Sequence, residues 1–209
     1  LGEYPRHGCK PGVSPLDQPM IKSYADKNRL VSYIHSLMDT TFPRLLAHHA
    51  HMRPADAALR EKEFGIWQTL SWADLWQVVS HLAHGLARDG LQRGDHVVVI
   101  GANRPHLYAS MLAVQVLGGI PVPLYQDAVA TEYVFPITNA EVRFAVVENQ
   151  EQVDKLLEIQ ADCPSLVRIY YDDPRGLRNY TQPFLSSLRQ VLDEGKDLLA
   201  HDTGFVRQQ

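Results

Sequence analysis

Cysteine is scarce in this chain. Only two cysteines occur among 209 residues, Cys9 and Cys163, and their separation matches no metal-binding or redox motif. This scarcity argues against a disulfide-stapled secreted domain and favours free thiols in a reducing compartment. We therefore expect a cytoplasmic protein.

The chain also lacks an excess of positive charge. Twenty lysines and arginines face 24 aspartates and glutamates, which gives a net charge of -4 and a pI near 6.2. No broad basic field is present, so neither nucleic acid nor an anionic membrane is expected as the main partner. A local basic patch remains open.

Long apolar runs are missing as well. No window reaches the roughly 18 apolar residues of a membrane span, and the first thirty residues lack the apolar core of a secretory signal. The composition, 45% hydrophobic, predicts a soluble globular chain without a transmembrane segment. Residues 1–37 are rich in Gly, Pro and charge, and are interpreted as an upstream extension, a cloning remnant or a flexible arm.

The first regular patterns predict a helix, a hairpin and a second helix. Thr41 and Pro43 favour a helix start, and residues 57–62 and 65–70 flank Phe64-Gly65 as two strands of a hairpin. Ser71 should cap a long amphipathic helix that Gly90 ends.

The segments after Gly90 have the pattern of an α/β sheet. The continuous apolar run Val97 to Ile100 is typical of a strand covered on both faces. A helical pattern from Pro105 to Leu117 ends at Gly118-Gly119, and the apolar segment Ile120 to Leu124 comes next. These units predict a right-handed βαβ crossover.

The alternation continues towards the end of the chain. Residues 130–139 predict a helix bent or ended by Pro136, VRFAVVE a strand, NQEQVDKLLEIQAD a helix capped by Asn149, LVRIYY a strand, and residues 183–196 a short helix. The predicted fold class is three-layer α/β, a mostly parallel sheet with helices on both faces.

Two prolines interrupt the Ile120 to Leu124 segment. Pro121 and Pro123 would leave ladder partners unsatisfied in a central strand, at about 1–3 kcal/mol for each buried group. Because alternate residues point to the same edge, both prolines remove donors from one edge only. We therefore expect a strand paired on its other edge, or one that leaves the sheet towards a site.

The order of these segments resembles a known family. Gly94-Asp95, the Val97 strand, Asn103, the helix ending at Gly118-Gly119, and Val122-Pro123-Leu124 are similar to the amino-terminal portion of the AMP-forming acyl-CoA synthetases, which belong to the adenylate-forming superfamily. The segment TLSWADLWQ resembles the family's lead-in, and ENQEQVDKLLEI and DDPRGLRNY resemble its long-chain fatty acyl branch. The resemblance covers about residues 38–195 and implies an α/β subdomain there, which follows the extension or flexible arm of 1–37 and precedes a tail over 196–209 that leads to missing subdomains.

This resemblance implies a ligase of fatty acid metabolism that uses ATP, Mg²⁺ and CoA in a longer parent protein. The family's Ser/Thr/Gly-rich loop ending in Pro-Lys-Gly is not found, nor is a P-loop or a G-x-G-x-x-G motif, and Asp202 to Gly204 is not the family's ribose-binding aspartate motif. We therefore assign no catalytic residue, leave the cofactor-binding residues unidentified, and expect the fragment to be inactive, without tight cofactor binding and prone to self-association. A ligase for another carboxylic acid and a non-catalytic ligand-binding or interaction module are the alternatives.

Several side chains are considered for other sites. His35, His48, His49 and His51 lack the partners of a metal site, so no metal is predicted. His81 and His84 are expected on the solvated flank of the long helix, and Trp67, Trp72 and Trp76 in the core.

Strand ends supply the remaining candidates. Asn103 and Arg104 follow the Val97 strand, and Tyr170-Tyr171-Asp172-Asp173 ends the last predicted strand. Ligands of α/β proteins gather there, although Asn103 is also a candidate helix cap and Asp172 a simple strand terminus. No Ser-His-Asp order or nucleophile elbow supports hydrolysis.

Overall fold

The computed structural model describes residues 41–199, which form six α-helices, seven strands and one 3₁₀ turn. The helices are α1 (Phe42–Met52), α2 (Trp72–Arg88), α3 (Pro105–Val116), α4 (Ala130–Asn139), α5 (Gln150–Glu158) and α6 (Leu188–Leu199). The strands are β1 (Ala57–Glu63), β2 (Ile66–Ser71), β3 (His96–Ile100), β4 (Ile120–Leu124), β5 (Phe144–Val147), β6 (Arg168–Tyr171) and β7 (Leu185–Ser187). Cys9, His35 and Asp202 to Gly204 lie outside the described residues.

The predicted fold class is confirmed. Strands β3 to β7 form a parallel sheet in the order β4-β3-β5-β6-β7, and β1 and β2 form a separate antiparallel hairpin. Alternate residues of β3, β5 and β6 face opposite sides, and each side is covered by helices. This makes three layers.

Two hydrophobic cores lie on the two sides of the sheet. The first contains Val97, Val99, Phe144, Val146 and Tyr170 together with apolar residues of α1, α2, α3 and α6. The second contains Val98, Ile100, Ala145, Val147 and Ile169 together with apolar residues of α4 and α5. Because β3 and β5 are buried on both sides, their sequences are continuously apolar, as predicted.

Strand β4 is an edge strand, which confirms the interpretation of its prolines. It pairs with β3, with Val97 opposite Pro121 and Val99 opposite Pro123. The Ile120 amide donates to Asp95 O at 2.8 Å. Since the Ile120 amide faces β3, the nitrogens of Pro121 and Pro123 face the open edge of the sheet. The β3–β4 ladder therefore loses no hydrogen bond to the prolines, which is the arrangement that an edge strand tolerates.

The hairpin is confirmed, but one tryptophan lies elsewhere than expected. Phe64 and Gly65 both have positive φ, 47° and 82°, which is the backbone of a two-residue hairpin turn. Trp72 and Trp76 pack against the first core, whereas Trp67 is 65% exposed. The prediction of a core position for Trp67 is wrong because Trp67 lies on the outer face of the hairpin.

The start of α2 is confirmed, and one histidine prediction on it is wrong. The Ser71 hydroxyl accepts from the Asp74 amide at 3.1 Å, and the Asp74 carboxylate accepts from the Ser71 amide at 3.0 Å. His84 is buried, with Nδ1 2.7 Å from Ser80 O, because α6 packs on the flank that the helical period assigns to solvent.

Three later elements refine the predictions. Pro136 lies inside α4, which ends at Asn139, and the Asn149 side chain caps α5 as predicted. The sequence pattern does not predict strand β7, and α6 follows this strand directly and continues to Leu199.

Within residues 41–199, no helix combines the length and the apolar character that a membrane crossing requires.

Candidate functional site at the switch point of the sheet

The connections of two neighbouring strands diverge at one place in the sheet. Strand β3 leads into α3 on the first side, and the adjacent β5 leads into α5 on the second side. Such a switch point opens a crevice beyond the carboxyl ends of the two strands, where open α/β sheets bind ligands. This crevice is the candidate site.

A glycine and a glutamate close the bottom of the crevice. A Cβ on Gly101 would lie 2.6 Å from Glu148 Cβ and from Leu107 Cδ1, so only glycine fits after β3. The Glu148 carboxylate, just after β5, accepts from the Ala102 amide at 2.6 Å. Glu148 thus fixes the turn that leads into α3.

Arg104 connects the sheet to the hairpin. Its guanidinium lies 3.3 Å from a Glu61 carboxylate oxygen and 3.5 Å from a Glu148 carboxylate oxygen. The hydrogen bond to Glu61, followed by the charge of Glu148, raises the pKa of Arg104. Arg104 is therefore already paired with two carboxylates of this chain.

A histidine–aspartate pair lies beside Arg104. His106 Nδ1 is 2.8 Å from Asp172 Oδ1, and this hydrogen bond raises the pKa of His106 despite partial burial. The Asp172 amide donates to Val147 O at 3.0 Å, which holds the aspartate at the sheet edge. The structure brings Arg104 and Asp172, both singled out from strand ends, to this one edge.

The next acid also has a partner from its own loop. Asp173 binds the Arg175 guanidinium, and Nε of that group lies 2.7 Å from Oδ2. This contact lowers the pKa of Asp173. Its amide donates to Glu148 O at 2.7 Å, so the loop after β6 is tied to the end of β5.

The resulting crevice is acidic and does not fit a triphosphate. Its cavity of about 370 Å³ is lined by the five carboxylates Glu61, Glu63, Glu148, Asp172 and Asp173, with Arg104, Arg175 and His106 as the basic groups. Both arginines are engaged with those carboxylates, so a polyanion would meet net negative charge. We derive no nucleotide-handling step from these residues.

A second, neutral cleft lies between α3 and the carboxyl end of β4. It measures about 530 Å³ and no charged side chain is among its lining residues, which are Val99, Gly101, Ala102, Asn103, Leu107, Tyr108, Met111, Pro123, Leu124, Tyr125 and Gln126. Asn103 Oδ1 accepts from the Tyr108 hydroxyl at 3.1 Å, while α3 begins with Arg104 as its N-cap. The expectation that Asn103 caps this helix is therefore wrong.

A partly buried network of polar side chains fixes the loop that lines this cleft. The Tyr133 hydroxyl donates to Tyr125 O at 2.9 Å, and Lys155 Nζ donates to Gln126 O at 2.7 Å. The Gln152 side-chain amide adds a 3.3 Å bond to the same Gln126 oxygen. The segment that follows β4 is thus held in place by hydrogen-bond donors from α4 and α5.

The other sequence candidates lie away from both clefts. Tyr170 is buried on the first side of the sheet and donates to Asp89 at 2.9 Å. His49 packs on Trp72, with ring centroids 4.6 Å apart, and within residues 41–199 no three His, Cys, Asp or Glu side chains are arranged so that they could hold a metal ion.

Sequence reasoning missed Glu61, His106, Glu148 and Arg175. Glu148 comes directly after a predicted buried strand, a position that could have singled it out. Glu61 and Arg104 are 43 residues apart in sequence, and no spacing rule joins them.

Comparisons with known proteins identify the family to which this chain is similar. A family model described as AMP-binding enzyme matches residues 46–199, more than half of the chain. The long-chain-fatty-acid–CoA ligase ACSBG2 of Xenopus laevis is 27% identical over 169 residues, which are 80% of this chain and 22% of that protein. An uncharacterized protein of Mycobacterium tuberculosis is 32% identical over 117 residues, 56% of this chain and 65% of that protein.

The solved structures agree on the fold. Coronafacic acid ligase from Pectobacterium brasiliense superposes with a TM-score of 0.65 at 18% identity, over 74% of this chain and 29% of that one. This chain spans about a fifth of the length of the long-chain ligases that it matches. The resemblance stated from the sequence is confirmed: the chain belongs to the family of AMP-binding enzymes, and the curated relatives that it matches include long-chain-fatty-acid–CoA ligases.

Proposed function

We propose that this chain is the amino-terminal part of an AMP-forming long-chain fatty acid:CoA ligase. The observation that carries the proposal is the similarity to a long-chain-fatty-acid–CoA ligase over 80% of the chain. The proposal assigns residues 38–195 to an α/β subdomain and residues 196–209 to a tail before further subdomains. It also assigns the protein to the cytoplasm.

The proposed reaction has two displacements. A carboxylate oxygen of the acid attacks the α-phosphorus of ATP, forming an acyl-adenylate and releasing pyrophosphate. The CoA thiolate then attacks the acyl carbon, forming the thioester and releasing AMP. ATP, Mg²⁺ and CoA belong to the longer protein in this proposal.

The described residues have a supporting role in this proposal. Glu61 and Glu148 bind Arg104 and hold the hairpin against the start of α3, and the Asp173 amide, which donates to Glu148 O, ties the loop after β6 to the end of β5. The neutral cleft beside β4 offers apolar and aromatic surface but no charged group for a phosphate. We therefore assign no catalytic residue to this chain.

A direct test uses a longer protein that contains this chain. Purified with ATP, Mg²⁺ and CoA, it should release pyrophosphate and form a thioester with long-chain fatty acids such as palmitate faster than with octanoate or anthranilate. Residues 1–209 alone should release none. Preference for a short or aromatic acid would replace the long-chain assignment, and turnover by 1–209 would refute the supporting role.

The rival function is a non-catalytic module with the same fold. It is favoured by the Mycobacterium tuberculosis relative, which is itself of similar length to this chain because 117 residues are 65% of it. If the longer protein folds but forms no acyl-adenylate with any acid, the module is the better account. An acyl-adenylate trapped by hydroxylamine would exclude it.

A further inference from the structure

The tip of the hairpin, residues 61–69, is held by charge and not by burial. Nearer the base, Leu59 packs against the first core. From Lys62 to Thr69 every residue is exposed. Within the described part of the chain, the only side-chain hydrogen bond or ion pair of the tip is that of Glu61 with Arg104, at 3.3 Å. The tip can therefore leave the sheet without exposing a core residue.

The tip forms one wall of the acidic crevice. Glu61, Glu63 and Phe64 line the cavity from the hairpin, and the other lining residues come from the start of α3 and from the ends of β5 and β6. The alternation along β1 places Glu61 and Glu63 on the same face. Movement of the tip would therefore open or close the crevice.

His106 is the titrating group of this crevice. The charged groups that act on it are Asp172 at the end of β6, Glu61 of the hairpin and Arg189 of α6. Asp172 is fixed at the sheet edge by its amide bond to Val147 O, whereas Glu61 would leave with the tip. The attraction between His106 and Glu61 therefore depends on where the tip lies.

The charges of the crevice do not balance while His106 is neutral. Five carboxylates line the cavity with two arginines, which leaves three negative charges in excess: Glu61, Glu63, Glu148, Asp172 and Asp173 against Arg104 and Arg175. A proton on His106 lowers this excess and adds a cation that attracts the acidic tip. Protonation thus favours the tip against the sheet.

We propose that the hairpin tip is a lid over the crevice, and that a proton on His106 keeps this lid closed. The closed form binds the proton more tightly than the open form, because Glu61 is near His106 only when the lid is closed. The hydrogen bond to Asp172, joined by the charge of Glu61, raises the pKa of His106 in the closed form. The extra closure is complete below the pKa of the open form and is lost as the pH rises through the pKa of the closed form.

The test is amide hydrogen exchange of the 209-residue chain, followed by mass spectrometry. Strands β1 and β2 form a sheet of two strands, which is marginally stable by itself, so their amides exchange when the lid opens. After correction for the intrinsic effect of pH, their protection should fall about two- to fivefold between about pH 5.5 and about pH 8.5. Strand β3 should be far better protected, because it exchanges only when the core unfolds.

Two variants assign the pH dependence to the crevice. His106→Gln should give β1 and β2 the same protection at both pH values, close to that of the parent chain at pH 8.5. Glu61→Gln should remove most of the pH dependence, because the nearest charge on the lid is then absent. The effect of pH on the parent chain should also shrink in about 0.5 M NaCl, which screens the attraction and needs no variant to fold.

Two matched controls leave the crevice intact. Lys62→Gln removes a charge from the outer face of the same strand and should not change the protection of the hairpin. His49→Gln removes the histidine that packs on Trp72, just after β2, and should keep the full pH dependence. Circular dichroism should show each variant folded.

Four results would overturn the proposal. They are equal protection of the hairpin and β3, hairpin protection that does not change with pH, a pH dependence that His106→Gln retains, and one that salt leaves unchanged. Loss of the pH dependence in His49→Gln would assign the proton to that histidine instead of His106. Because no turnover is measured, each of these results leaves the ligase proposal standing.

Discussion

Asp89 joins two elements, α2 and β6, through one buried carboxylate. Its side chain is 6% exposed and lies 2.7 Å from Arg88, 2.9 Å from the Tyr170 hydroxyl and 3.6 Å from Arg168. Burial, together with the Asp89 charge, raises the pKa of Tyr170, so the phenol stays protonated and donates. The end of α2 is thereby fixed to β6.

We predict that Asp89→Asn destabilises the protein by about 1–3 kcal/mol. The amide keeps the volume but removes the charge that both arginines face. Urea unfolding measures the change in the free energy of unfolding. Asp193→Asn, at an exposed pair with Arg189, is the control and should stay within about 0.5 kcal/mol. Equal effects of the two variants would contradict a special role for Asp89.

The second residue-scale prediction concerns pH and His106. The hydrogen bond to Asp172 raises the pKa of His106 above its ordinary value, and the other charges that act on it are Glu61 and Arg189. A raised native pKa means that the folded state binds the proton more tightly. The stabilisation is therefore complete below the unfolded pKa and is lost as the pH rises through the folded pKa.

We expect His106→Gln to lose more stability at about pH 5.5 than at about pH 8.5, on either side of the histidine titration. The measurement is the difference in the free energy of unfolding between variant and parent at each pH, which cancels groups common to both. In an Asp172→Asn background the pH dependence of this difference should shrink. A difference that is the same at both pH values would show that the pair carries no protonation-linked stability.

At the scale of elements, α2 and α6 touch through glycines. A Cβ on Gly195 would fall well inside van der Waals contact with the carbonyl oxygen of His81, and one on Gly85 would do the same at Val191. Val191 and Leu188 are buried against this contact. The two helices can therefore lie this close only because both positions lack a side chain.

We predict that Gly195→Ala destabilises the fold by about 1–3 kcal/mol, through overpacking against the backbone of α2. The sign of the change in stability is informative, because alanine at an ordinary helix position stabilises the helix by about 1 kcal/mol relative to glycine. Lys196→Ala, exposed on the next position, should be neutral or slightly stabilising. Thermal unfolding distinguishes the two, and a stabilised Gly195→Ala would show that α6 does not pack as described.

How far the sequence predicts an element depends on where its partners come from. Strands β3 and β5 and helix α2 are predictable because their own residues carry the period or the continuous apolar run. The burial of His84 is not predictable in this way, because the helix that covers it, α6, lies about a hundred residues further along the chain. Strand β7 has only three residues, Leu185–Ser187, and takes its conformation from pairing with β6.

At the scale of the whole molecule, the candidate site is likewise predictable from the sequence only where the residues of its own strands carry the signal. Parallel order predicts that Arg104 and Asp172 meet at the carboxyl edge, and both line the crevice there. It does not predict that Glu61 arrives from a hairpin outside the sheet, or that Glu148 fills the crevice. The charge of the crevice, and hence its poor fit to a triphosphate, is a property of the fold and not of any motif.

At the scale of the whole molecule, the described residues leave an apolar surface around β4 exposed. Ile120, Tyr125, Val129 and Phe135 are exposed apolar residues that succeed one another from β4 into α4. The two prolines of β4 can donate no hydrogen bond to a further strand at its outer edge, which disfavours the addition of one. Association through this region should therefore involve side chains and not an extended sheet.

We predict concentration-dependent self-association of the 209-residue chain, driven by these apolar side chains. Light scattering should show a mass that rises with protein concentration and with added sulfate, which strengthens apolar association. Tyr125→Ser and Phe135→Ser should lower that mass. Phe42→Ser, which removes a similarly exposed aromatic side chain from α1, should have little effect. A constant monomer mass, or an equal response to Phe42→Ser, would rule out association through the β4–α4 surface.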